Sequence, residues 1–80
     1  VSQERFHLEI YEPGSRDTVL GSWRCTAPVH VASGEVLRLG ALVPDALPSY
    51  ALRAVAVEHV MWIKDGVLAH KLMVFTEPVA

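Results

Sequence analysis

The side chains able to do chemistry in this 80-residue chain are four histidines, one cysteine and six aromatic residues. His59 and His70 stand on either side of Asp65-Gly66, a dipeptide that favours a two-residue hairpin turn. If those two residues are the centre of a type I′ turn, Lys64 pairs with Val67, Met61 with His70, and His59 with Leu72. The two imidazoles are then diagonal neighbours on one face, about 7 to 8 Å apart at Cα, within reach of a shared metal ion or water. His59 and His70 are therefore the candidate metal ligands. A three-residue loop with a glycine bulge would slip the register by one and separate them. The competing structural reading makes both histidines partly buried strand residues bonded to backbone, to carboxylates or to each other. It has weight because two ligands fall short of the three or more a zinc site usually takes. His7, His30 and Cys25 show no ligand spacing.

Other constellations are weaker. Glu58 and Lys71 are expected to form a cross-strand ion pair on the face opposite His59, an exposed contact that contributes only about 0.2 to 1 kcal/mol. Glu58 and His59 cannot act as an acid/base couple, because adjacent strand residues point to opposite faces. Most aromatic residues are needed for the core, while Trp62 and Tyr50 are expected near a partner-binding surface. Cys25 and the five serines sit in no nucleophile elbow, and the glycines are scattered singly at turns rather than gathered in a phosphate loop. No enzyme signature is present, and no cofactor is expected.

The elements that must position these residues are strands. Arg5 to Glu12 alternates, with Phe6, Leu8 and Ile10 on one side and His7, Glu9 and Tyr11 on the other. Pro13-Gly14-Ser15-Arg16-Asp17 then reverses the chain. Thr18 to Cys25 reads as the return strand, with Val19, Trp23 and Cys25 sharing a face and Gly21 leaving room for a bulge or close neighbour. A short apolar piece, Val29 to Ala32, leads to a turn at Ser33-Gly34. Alternation resumes from Glu35 to Val43, with Leu37, Leu39 and Val43 inward. The prolines at 44 and 48 make Pro44 to Ser49 the longest loop.

Tyr50 to Ile63 is rich in β-branched and aromatic residues and is read as a strand, reversed at Asp65-Gly66 into Val67 to Thr76. Leu52, Val55, Ala56, His59, Val60 and Ile63 also match one helical face. That helix would expose Val57, Met61 and Trp62, so the strand is preferred. Fourteen extended residues span roughly 45 Å at about 3.3 Å each, against a globule about 30 Å across. The strand must bend, or its tip must project and be covered by another copy. The expected fold is mainly β: a small antiparallel barrel of five to six strands, SH3-like or OB-like in element order, with a long bent hairpin over 50–76.

The totals set the context. Residues 1–80 are expected to form a single domain, since a chain this short buries only about 60% of its unfolded surface around one core. Hydrophobic residues make up 51% of the chain, more than so small an interior can easily cover, which predicts a homodimer and leaves room for a protein partner. The net charge of −2, spread without blocks, argues against nucleic acid or anionic lipid. One cysteine excludes an internal disulfide and suits a reducing cytoplasm. There is no membrane-length apolar run and no signal-like start, and the first residue, Val1, implies trimming or a missing start. The resulting expectation is a non-catalytic module that homodimerises and binds a protein partner. Metal or small-ligand binding by His59 and His70 is the alternative.

Overall fold

A computed structural model describes residues 5–43, 45–46 and 50–79. These residues are mainly β, with no helix among them. In chain order the strands are β1 (Arg5–Tyr11), β2 (Val19–Cys25), β3 (Val36–Arg38), β4 (Ala51–Lys64) and β5 (Val67–Pro78). They form one curled sheet, a half-barrel, in the order β2-β1-β5-β4-β3.

The sheet is mixed rather than antiparallel throughout. β1 runs antiparallel to β2, and β4 antiparallel to both β3 and β5, but β1 and β5 pair in parallel from Arg5↔Ala69 to Ile10↔Val74. The all-antiparallel expectation fails for a physical reason. Tight turns leave local marks in a sequence, whereas a parallel pair is joined by a long crossover that leaves none. Here the crossover is everything from β2 to β4.

The β1–β2 connection forms as its residues require. Gly14 takes φ 80°, the Ser15 hydroxyl accepts hydrogen bonds from the Asp17 and Thr18 amides, and Glu12 N donates to Thr18 O at 2.9 Å. The ladder then shifts register between Ile10 and Tyr11. This bulge corrects one sequence assignment. Gly21 sits opposite Ile10 and Val19 opposite Tyr11, so Val19 leaves the face of Trp23, and Leu20 packs against the core instead. A Cβ at Gly21 would meet the outer edge of the Trp23 indole, so any side chain there forces the ring to shift.

β3 is shorter than the alternation from Glu35 to Val43 suggests. The strand stops at Arg38, and the amides of Leu42 and Val43 both donate to Leu39 O in a turn. The inward residues are nevertheless those expected: Leu39 is buried, and Leu37 and Val43 are half-buried. Pro44 and residues 47–49 of the expected loop lie outside the described residues.

Alternation along β1, β5 and β4 puts Leu8, Ile10, Leu72, Val74, Leu52 and Ala54 on one face, where they make the core with Leu39. Burying a leucine of this kind stabilises the fold by about 1.5 to 3 kcal/mol. On the other face Tyr11 and Phe75 pack with ring centroids 4.7 Å apart. Buried Thr76 satisfies its hydroxyl by donating to Tyr11 O at 2.9 Å.

β4 carries a bulge at Val55, between the pairs Ala54↔Thr76 and Ala56↔Phe75. Bulges bend the strand that holds them. The outer edge of β4 is covered only up to that point, by β3, by Gly34 N donating to Ala54 O at 2.7 Å, and by the Ser33 hydroxyl donating to Val55 O at 2.9 Å. From Val57 to Lys64 the ladder has β5 on one side and, among the described residues, no strand on the other. The molecule measures 45 × 22 × 20 Å, and its radius of gyration of 13.5 Å exceeds the value of about 12 Å for a compact chain of this length. The long strand thus both bends and projects.

Candidate functional site

The chemistry-bearing residues gather on the projecting half of the β4–β5 hairpin. Asp65 and Gly66 take φ 54° and 75°, the left-handed pair of a type I′ turn, and Lys64 faces Val67. Met61 then pairs with His70 and His59 with Leu72, the register expected for a two-residue turn. His59 Nδ1 lies 2.8 Å from His70 Nε2, with ring centroids 5.0 Å apart. One ring donates this hydrogen bond and the other accepts it. Phe6 from β1 meets His70 edge-on at 6.3 Å and holds its orientation. Two nitrogens on a tetrahedral zinc stand about 3.3 Å apart, so a small opening of the pair would admit one ion between them. No cluster of three or more metal-ligating side chains occurs among the described residues.

The opposite face of the hairpin is cationic and aromatic. Trp62 stacks on His7 at 6.3 Å, and both line a shallow cleft of about 180 Å³ with Arg5, Arg24 and Lys64. Those three cations make no ion pair among the described residues. Further along, Lys71 pairs with Glu9 at 3.4 Å and Arg16 with Glu58 at 3.3 Å. The expected Glu58–Lys71 pair does not form. Register sets Glu58 opposite Met73 and Lys71 opposite Val60, while β1 brings Glu9 close to Lys71 from the other side. Arg16 also lies over the Phe75 ring, 4.4 Å from its centroid. Tyr11 is pushed above its ordinary pKa of 10.0, first by burial and then by the neighbouring Glu9 carboxylate, which accepts a hydrogen bond from its hydroxyl at 3.2 Å.

Comparison with known proteins finds no matching family model, no matching curated protein and no matching solved structure. The functional reading rests on the geometry.

The most informative feature of that geometry is apolar. Val60, Met61, Trp62 and Ile63 follow one another on β4 and are 40%, 62%, 40% and 74% exposed. Sequence reading singled out Trp62 but not its neighbours. A helix here would expose Met61 and Trp62, and the strand exposes both as well. The length of the strand already implies a projecting tip, and exposure of these four residues is its consequence. Tyr50, the other aromatic residue expected near a partner, is not brought to Trp62. It lies at the far end of β4, half-buried against the core, with its carbonyl accepting from Leu39 N at 2.8 Å. A second cleft, of about 340 Å³, lies beside the hairpin between His59 and the segment Val29 to Ala32, with Glu35 at its rim.

Proposed function

We propose that this chain is a non-catalytic β module that self-associates as a homodimer and docks a protein partner. One observation carries the reading: four successive apolar residues stand exposed on both faces of a projecting ribbon. Lone exposed apolar residues are ordinary, but a contiguous group on a strand with one free edge marks a contact surface or an aggregation hazard. Coverage by a second copy answers both. Trp62 within this group, and Tyr50 at the other end of β4, are the aromatic contacts proposed for the protein partner. The curled five-stranded sheet favours the partly open OB-like form over a closed SH3-like barrel. A cytoplasmic setting suits the unpaired Cys25. Sedimentation of the purified chain at micromolar concentration tests the reading. A dimer is expected, and a monomer overturns it.

The second reading is metal or small-ligand binding by His59 and His70. It is favoured by the 2.8 Å approach of their ring nitrogens at an exposed position. The two imidazoles would fill two places around a divalent ion and leave the rest to water or to a ligand from elsewhere.

A further inference from the structure

We infer that two copies join edge to edge, β4 against β4 in antiparallel alignment, with Met61 facing the second copy's Met61 on the two-fold axis. This deepens the homodimer reading and rests on it.

The backbone is set for such a pairing. In a two-residue hairpin the closing pair, Lys64 and Val67, exchanges hydrogen bonds within the hairpin, and every second pair below it does the same. Trp62, Val60 and Glu58 therefore spend their amides and carbonyls on β5. Val57, His59, Met61 and Ile63 turn theirs outward, to an edge with no strand on it among the described residues.

Two boundaries fix where a second copy fits. Ser33 and Gly34 occupy the edge at Ala54 and Val55, and the chain turns away at Asp65. The free stretch runs from Val57 to Lys64, and its centre lies between Val60 and Met61. A two-fold axis at either residue pairs most of the free edge of both copies.

Charge decides between them in favour of Met61. With the axis at Met61, Glu58 faces the second copy's Lys64, Lys64 faces its Glu58, and between these two ion pairs each Val60 faces a Trp62. Moving the axis to Val60 sets Glu58 against Trp62 and leaves both charges without a partner across the interface. Lys64 is suited to receive a carboxylate, because it lines the cationic cleft with Arg5 and Arg24 and has no ion pair among the described residues. Among the described residues Glu58 is engaged only by exposed Arg16, in a contact that contributes little.

The other face agrees. His59 comes to lie opposite the second copy's Ile63, the most exposed of the large apolar side chains. His59 is also a wall of the cleft lined by Val29 and Val31, which gives that isoleucine an apolar seat. The two His59 residues themselves stay about 13 Å apart along the strands, so the dimer does not complete a metal site.

Charge reversal and cross-linking test the alignment. Glu58→Lys or Lys64→Glu alone is expected to weaken the dimer about tenfold in sedimentation, and the double reversal to restore it. In a Cys25→Ser background, Met61→Cys should give a disulfide-linked dimer under mild oxidation, since paired Cα atoms there stand about 5.5 Å apart, whereas His59→Cys should not. A dimer that ignores the charge reversals, or fails to cross-link through position 61, overturns the edge pairing while leaving self-association intact. A wild-type monomer overturns both.

Discussion

His59 and His70 meet ring to ring, at 2.8 Å, from diagonal positions on the two strands of one hairpin. The contact exists only because the turn holds two residues and no more. A slip of one residue would send one imidazole to the opposite face, so the pair reports the register of the whole ribbon. Titration with zinc or nickel should shift the NMR signals of both rings together, and His59→Ala should remove the response at His70. Unchanged wild-type rings at excess metal would end the metal reading.

The same turn predicts a stability effect. Gly66 sits at φ 75°, where a Cβ is strained, so Gly66→Ala should lower stability by about 1 to 2 kcal/mol in urea unfolding. Asp65→Asn should leave the midpoint nearly unchanged, because asparagine tolerates the left-handed conformation that Asp65 adopts. Equal losses from the two changes would contradict the type I′ assignment.

Gly21 and Trp23 offer a third test. A methyl at position 21 must displace the indole from its place against the core, which predicts a loss of about 1 to 3 kcal/mol for Gly21→Ala and a red shift in tryptophan fluorescence. A variant with wild-type stability and an unshifted spectrum would show that the ring has another place to go.

The parts of this fold that were legible in the sequence are those with local causes. Asp65-Gly66 announced its hairpin because few dipeptides take two successive positive φ values cheaply, and from that turn the approach of His59 to His70 followed by counting. The alternation in β1 named Leu8 and Ile10 as core. What escaped has non-local causes. The β1–β5 pairing joins strands some sixty residues apart, and no side chain in either one signals a parallel neighbour. Glu58 and Lys71 were matched across one ladder, but a third strand brought Glu9 nearer. The bulge beside Leu20 inverted Val19, since one extra residue flips every side chain beyond it.

Burial predicts opposite outcomes for two aliphatic positions on β4. Leu52 is 2% exposed within the core, so Leu52→Ala should cost about 2 to 5 kcal/mol. Ile63→Ser at the tip should stay within about 0.5 kcal/mol of wild type, measured at a dilution where self-association adds nothing. A large loss at Ile63 would mean that the tip folds back onto its own chain.

Tyr11 contributes to stability at alkaline pH. Its phenol is raised above 10.0 in the folded chain, so the native state holds the proton more tightly than the unfolded state does. The associated stability is fully present below the unfolded pKa and is lost as pH rises through the folded one. Denaturant midpoints should therefore fall above about pH 10, and less steeply in Tyr11→Phe. Glu9→Gln should bring the phenol's titration, followed by ultraviolet absorbance, back only part of the way, because burial is the larger cause.

The last strand in chain order is hydrogen-bonded on both sides, and this governs how the sheet can be assembled on the ribosome. Until β5 emerges, the nascent chain holds two unconnected fragments, β1 with β2 and β3 with β4, and a strand pair alone is marginal in water. Those twelve residues are the keystone: folding waits for them and then proceeds across the whole sheet, and a chain cut before Val67 has no partial structure to fall back on.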